Sequence, residues 1–436
     1  MNVQKTNSTI DKARQLQRKL YLTAKASRRR RFHALYDKIY RADILLEAWK
    51  RVRANGGAGG VDRVSIDDVE AYGEEKLLAE ISEMLKTNQY RPLPVRRTYI
   101  PKNDGSKRPL GIPVIKDRIV QMAAKIVIEP VFEADFLDCS FGFRPKKSAQ
   151  QALGRIYEVA DNGDALWVID ADIKDYFGSI SHDKLMLLVK QRISDRRVLK
   201  LIWQWLNAGV IEEGRYYKSD KGSPQGGVIS PLLSNIYLHY FDYVWTKHYS
   251  HLGKLVRYAD DFVILAKRKY QAEQGMKAIY LIMSKLELTI HEGKTKLVDM
   301  YYGKEGFEFL GFHNRFKRKR AKTWNWYWRL FQVPSHKAMK KMRAKIKAEF
   351  ESPARLLWSL QDMIKLLNPK IIGMRNYYNR KFAQEKLWHI DRYIVQKFTK
   401  WYNSKRQRQH RLGNMDKIRD LVYSSGLARM RVLAEC

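Results

Sequence analysis

Lys254-Leu255-Val256-Arg257-Tyr258-Ala259-Asp260-Asp261-Phe262-Val263-Ile264-Leu265-Ala266 decides the fold. Apolar β-formers flank a short polar break, which predicts strand, tight turn, strand. The adjacent carboxylates of Asp260 and Asp261 at the tip repel each other and are costly to desolvate. A divalent cation relieves both costs. Mg²⁺ and Mn²⁺ suit hard oxygen ligands, and Mg²⁺ commonly takes one or two carboxylates plus substrate phosphates. Asp-Asp is also an ordinary surface turn, so the neighbouring sequence must decide. Upstream, Leu166-Trp167-Val168-Ile169-Asp170-Ala171-Asp172-Ile173-Lys174-Asp175-Tyr176-Phe177 reads as an apolar strand ending in carboxylates. Two-residue alternation puts Asp170 and Asp172 on one face. A third carboxylate beside the pair would complete a two-metal site for nucleotidyl transfer, with one ion on the attacking 3′-hydroxyl and one on the triphosphate.

The composition points to the same partner class. The chain has 436 residues, a length prior of about three domain-sized units. Lys and Arg number 83 against 46 Asp and Glu, a formal charge of +37 that calls for an extended polyanion, most simply nucleic acid. Aromatic residues at 12% add surface on which bases can stack. Cys139 and Cys436 alone exclude a disulfide framework and a Cys-rich zinc module, and they fit a reducing compartment. No apolar run approaches the roughly 20 residues that span a bilayer, and the N-terminus lacks an apolar signal region. These features predict a cytoplasmic protein associated with nucleic acid, with no membrane partner.

Along the chain, residues from about Ile10 to Ala54 are expected to be helical, with Arg28-Arg29-Arg30-Arg31 inside the helices. Asn55-Gly56-Gly57-Ala58-Gly59-Gly60 breaks them. Strand Val95–Pro101 leads to Asn103-Asp104-Gly105-Ser106, a hairpin tip that stands Lys102 and Arg108 on facing strands. Further helices are expected over 65–86, 116–136, 149–160, 182–191, 196–208, 272–286 and from the loop at 222–231 to about 244. Residues 315–322 are densely basic, and Trp324, Trp326, Tyr327 and Trp328 follow. Stacking aromatics beside phosphate-binding cations are a nucleic-acid signature, and equally a β-hairpin with aromatic cross-strand pairs. Three helical regions close the chain. One starts at Ser335, one is capped by Ser352 with Pro353 at its first position, and one runs over 387–403. The basic run Lys405–Arg411 suits RNA or a solvated tail.

Tyr258-Ala259-Asp260-Asp261, the Asp172–Phe177 segment and Gly222-Ser223-Pro224-Gln225-Gly226-Gly227-Val228-Ile229-Ser230-Pro231-Leu232-Leu233 occur in the order and spacing of a known family. With Ser140-Phe141-Gly142-Phe143-Arg144-Pro145, His291–Lys296 and Phe307–Phe312 they resemble the group II intron reverse transcriptase/maturase family. The resemblance covers nearly the whole chain and is strongest from 95 to 312. Met374 stands where the family's thumb usually has Trp. The resemblance implies an α+β right-hand polymerase: fingers and palm with an antiparallel sheet and packing helices, a helical thumb or X domain, and a helical N-terminal extension. The corresponding spans are 1–64 for the RNA-binding extension, 65–313 for fingers and palm, 314–412 for the thumb and 413–436 for a short tail. The family's Cys-containing HNH endonuclease is not expected in a chain with this length and cysteine count.

The same resemblance implies roles for individual residues. Asp172, Asp260 and Asp261 are the catalytic carboxylates and, with Ile173, the site of two Mg²⁺ ions, for which Mn²⁺ can substitute. Lys102, Arg108, Asp175, Phe177, Gln225 and Lys294 form the nucleotide pocket, with Phe177 under the sugar as the gate against a 2′-hydroxyl. Arg28, Arg29, Arg30, Arg31, Arg144, Lys317, Arg318, Lys319, Arg320, Lys405, Arg406 and Arg408 bind RNA. The implied partners are group II intron RNA, an RNA template with a DNA primer, deoxynucleoside triphosphates and target DNA. Two other readings stand beside the polymerase-maturase: an RNA-binding splicing chaperone with a silent palm, and a polymerase repurposed for a role such as host defence.

Overall fold

The computed structural model describes residues 3–101, 105, 107–163, 165–223, 226–320, 326–406 and 414–431. Its strands are β1 (Val95–Pro101), β2 (Lys107–Ile112), β3 (Trp167–Ala171), β4 (Val210–Glu212), β5 (Arg215–Tyr217), β6 (Lys254–Tyr258), β7 (Asp261–Ala266), β8 (Lys296–Asp299), β9 (Gly306–Phe309), β10 (Phe312–Arg320) and β11 (Trp326–Pro334). The sheets run in the orders β2-β1-β4-β5, β6-β7-β3-β8 and β11-β10-β9. Two compact units are present. The first comprises Met1–Ser148, Ala171–Ile264 and Glu273–Thr295; the second comprises Ala149–Asp170, Leu265–Ala272 and Lys296–Cys436. Among the described residues, no helix is long and apolar enough to cross a membrane.

The first unit is built around the helix Ile115–Glu133, which is buried on nearly every side. Helices Val3–Ala26 and Ala42–Asn55 pack on it. Three of its buried polar groups tie down loops. The Tyr90 hydroxyl and the Leu93 N–H donate to the two Asp117 oxygens at 2.7 and 2.9 Å. Burial pushes the Asp117 carboxyl up to about 6. Arg118 donates to the Pro113 carbonyl at 2.9 Å and to that of Ala58, which fixes the glycine-rich loop. Val228 N–H donates to Gln121 Oε1 at 2.9 Å. In the first sheet Ile100 pairs with Arg108, and β4 joins β1 in parallel through Val95 and Val210, an element the sequence reading did not contain.

The N-terminal basic run departs from expectation. The first helix ends at Ala26, and Arg28–Arg31 lie exposed in the connection that follows. The reason is distant in sequence: Arg192 donates to the carbonyls of Ala24 and Ser27 at 2.9 Å each, and to Arg28, so it caps the helix end.

In the second unit helices His336–Ala348, Leu360–Tyr378, Gln384–Lys405 and Met415–Ser424 share one core that includes Met342, Leu367, Ile390 and Phe398. Three expectations are corrected here. Ser352 makes no side-chain cap; it precedes a short 3₁₀ turn over Pro353–Leu357. The helix starts instead at Leu360, where Ser359 and Asp362 bond each other's backbone N–H in a capping box. Residues 415–431 are no loose tail: Ile418, Val422, Leu427 and Met430 join the core, and Asp391 accepts the Met430 and Arg431 N–H groups at 2.7 and 3.0 Å. Finally, β10 and β11 pair cations with aromatics rather than rings with rings: Arg318 with Trp328, Lys319 with Tyr327 and Arg320 with Trp326.

Candidate active site

Strands β6 and β7 form the hairpin, and its tip holds Ala259 at φ +57° and Asp260. That left-handed alanine is costly for a residue with a Cβ, and the surroundings hold it in place. Arg257, fully buried, donates to the Ala259 carbonyl at 2.8 Å, to Asn235 Oδ1 at 3.2 Å and to Ser140 Oγ at 2.8 Å. Its other bonds go to both oxygens of buried Asp242, at 2.7 and 2.5 Å. Behind the tip, Phe141 N–H donates to the Arg257 carbonyl at 2.9 Å and Asn235 to that of Gly142 at 2.8 Å. A Cβ on Gly142 would stand 2.2 Å from Ala259 N. The Ser140–Arg144 signature is thus the buttress of the carboxylate turn.

Arg144 is accordingly a correction. It is buried; its guanidinium binds the Glu133 carboxylate at 2.6 Å and the Ser140 carbonyl at 2.7 Å, so it braces this segment rather than facing RNA.

Asp172 follows β3. The turn His291–Thr295 is clamped beside it: His291 N–H donates to the Asp172 carbonyl at 2.8 Å, and Lys174 N–H to that of Thr289 at 2.8 Å. Ile173 bridges to Ile290. This clamp delivers Lys294, whose Nζ lies 2.9 Å from Asp172 Oδ2. Burial holds the Asp260 carboxyl above its ordinary range, and the Asp172 charge adds to this; the Asp260 backbone N–H, Arg108 and Arg257 oppose it. Asp260 therefore lies within electrostatic reach of both Asp172 and Arg108. Asp261 opens β7 on the exposed side. Among the described residues no ready-made group of three or more His, Cys, Asp or Glu stands in metal-holding geometry. Asp172 and Asp260 still fit a divalent ion: they are hard oxygen donors whose mutual repulsion a cation would relieve, with phosphate and water completing the shell.

Phe177 is half-buried and lines a cavity of about 170 Å³ with Asp175, Pro109, Gly222 and Ser223. Ser223 N–H donates to the Phe177 carbonyl at 2.8 Å. Gly222, at φ +89°, is where a Cβ would meet that same oxygen at 2.9 Å. Asp175 is exposed and left-handed at φ +41°. Lys102, Gln225 and Arg408 lie outside the described residues. Lys317, Arg318, Lys319 and Arg320 are exposed along β10. Lys405 and Arg406 are exposed too, but lie over the rings of Trp401 and Tyr402 at 5.4 and 4.5 Å. The sequence reading missed Arg257, Asp242 and Asn235. The available signal was an arginine inside an apolar strand, though nothing in the order of residues paired it with Asp242.

Comparisons with known proteins identify the family. The reverse transcriptase (RNA-dependent DNA polymerase) family matches residues 100–314, and the group II intron, maturase-specific domain matches 339–419. Protein YkfC of Escherichia coli K12 is 36% identical over 345 residues, 71% of this chain and 89% of that protein. The group II intron-encoded protein LtrA of Lactococcus lactis is 41% identical over 212 residues, 48% of this chain and 35% of LtrA. An uncharacterized 91 kDa protein in the cob intron of Schizosaccharomyces pombe is 29% identical over 419 residues, 79% of this chain and 50% of that one. The fold and site define an RNA-directed DNA polymerase with reverse transcriptase fingers and palm. The chain belongs to the group II intron reverse transcriptase/maturase family, and the maturase-specific region favours that role over a repurposed polymerase.

One prediction follows from the buttress. Gly142→Ala is expected to slow primer extension on the order of 10²-fold by displacing the tip. Steady-state extension beside far-UV circular dichroism would check this; an unchanged rate would remove the buttress from catalysis.

Proposed function

We propose that the chain extends a DNA primer along an RNA template and also binds its own group II intron RNA to assist splicing and mobility at a target DNA. The primer 3′-oxygen attacks the α-phosphorus of a deoxynucleoside triphosphate in line, and pyrophosphate leaves. Asp172, Asp260 and Asp261 would hold two Mg²⁺ ions, or Mn²⁺, with the Ile173 peptide alongside. Bound ions supply Lewis-acid polarisation of the attacking oxygen and neutralise the triphosphate. Lys102 and Arg108 grip that triphosphate through charge-assisted bonds, and the Asp175 peptide and Gln225 orient the nucleotide. Lys294, whose Nζ lies 2.9 Å from Asp172 Oδ2, would approach the leaving pyrophosphate. Arg28–Arg31, Lys317–Arg320, Lys405, Arg406 and Arg408 neutralise RNA phosphates. The observation that carries this reading is the carboxylate turn held by Arg257 at the Ala259 carbonyl, together with the ion pair of Lys294 and Asp172.

The test is primer extension on an RNA template with deoxynucleotides or ribonucleotides. Long products with deoxynucleotides alone are expected. Phe177→Ala should raise ribonucleotide incorporation relative to deoxynucleotide about tenfold or more, because the ring is what the 2′-hydroxyl would meet. Discrimination equal to wild type would remove Phe177 from that role.

A further inference from the structure

The hairpin β10–β11 carries a feature separate from the carboxylate turn. Register and alternation put Trp326 and Trp328 on one face, opposite Arg320 and Arg318. The guanidinium groups of Arg318 and Arg320 lie 4.8 and 5.9 Å from the Trp326 ring centre. The turn Tyr301–Gly303 lays a third ring beside them: Tyr302 is 5.5 Å from Trp328, and Tyr301 is 4.2 Å from Tyr302. All four rings are open to solvent, Tyr302 by 64%, Trp326 by 53%, Tyr301 by 48% and Trp328 by 39%.

This turn is built firmly. Tyr301 N–H donates to Asp299 Oδ1 at 3.0 Å, Asp299 N–H to Glu305 Oε2 at 2.8 Å and Arg315 Nε to the Gly303 carbonyl at 2.8 Å. Gly303 sits at φ +66°, and a Cβ there would lie 2.3 Å from the Phe316 carbonyl oxygen. The local carboxylates are therefore engaged within the turn, and the charge presented at the rings is cationic.

We propose that this face is a stacking platform for unpaired nucleotides of a single-stranded nucleic acid. The proposal rests on the reading that the chain works on RNA, and it is tested apart from it. Contiguous exposed aromatics mark an interaction surface. A surface rimmed by Arg in a chain of charge +37 selects a polyanion over an ordinary protein. Ring faces recognise bases by stacking, and Arg adds phosphate and cation–π contacts. A duplex has its base faces buried in its own stack, so only splayed, unpaired bases can use them. Trp326 and Trp328, two residues apart, are roughly 7 Å apart along the strand, room for a base on each.

The experiment uses the full chain and a single-stranded oligonucleotide bearing 5-iodouridine, cross-linked by light and mapped by mass spectrometry. Adducts at Tyr302, Trp326 or Trp328 are expected; adducts only elsewhere would overturn the proposal. In parallel, Trp326→Ala with Trp328→Ala should weaken single-strand binding about tenfold or more and duplex binding less than about twofold, with the corresponding Phe pair restoring most of the loss. Unchanged single-strand affinity, or an equal loss for both nucleic acids, would also overturn it. Wild-type primer extension separates the failures: a protein that extends but lacks these adducts refutes the platform alone, and one that never extends refutes the polymerase reading.

Discussion

Asp260→Ala is expected to abolish primer extension, a loss on the order of 10³-fold or more, while the protein stays folded and RNA-bound. Catalysis in such a site is positioning and charge stabilisation, so losing a carboxylate proposed to hold the ions would remove its main source. The fold should not suffer. Burial and the Asp172 charge raise the Asp260 pKa. A carboxyl whose folded pKa lies above its unfolded one is destabilising when ionised, so stability falls as pH rises through that window and stays lower at neutral pH. A neutral residue removes this penalty, and Asp260→Asn should melt no lower than wild type. RNA affinity should hold or rise slightly, since one negative charge is removed from a strongly basic chain. Extension, thermal melting and filter binding on the same preparations check all three. Retained extension would sink the carboxylate assignment. Splicing of the cognate intron by this variant measures the maturase function separately, because intron RNA supplies its own chemistry.

Arg257→Met is expected to be the most destabilising single change near the site, at about 3–5 kcal/mol, the usual consequence of stripping one partner from a buried ion pair. It would leave Asp242 charged, buried and unpaired, and would orphan the Ala259 carbonyl and Ser140 Oγ. Arg257→Lys should not rescue it, because an ammonium cannot reproduce a fork that reaches four groups at once. Arg257→Met combined with Asp242→Leu should recover much of the stability but not the extension rate, since nothing then holds the tip. Urea unfolding midpoints and extension rates test this. A midpoint unchanged in Arg257→Met would show that the pair is not what supports the turn.

The carboxylate hairpin was legible because its signal is local. A polar break inside apolar β-formers announces itself within thirteen residues of sequence. The helices were similarly clear, since periodicity and caps are short-range. The errors came where a distant group overrode the local pattern. Arg192 ends the first helix from far along the chain, and Ser359 rather than Ser352 caps the thumb helix because Asp362 answers it. Arg144 looked like a phosphate ligand, a reading that held only until Glu133 was brought beside it.

The sequence alone determined that this chain is a basic polymerase of the group II intron type, because motif order, residue chemistry and net charge are properties of the string. Only the tertiary structure decided which cations face outward and which are spent inside. Burial leaves a charge no option but a partner, and the partners of Arg144, Arg192 and Arg257 come from separate elements. The same closure put the rings of Tyr302 and Trp328 side by side, a contact set by a turn packed onto a strand rather than by spacing in the chain.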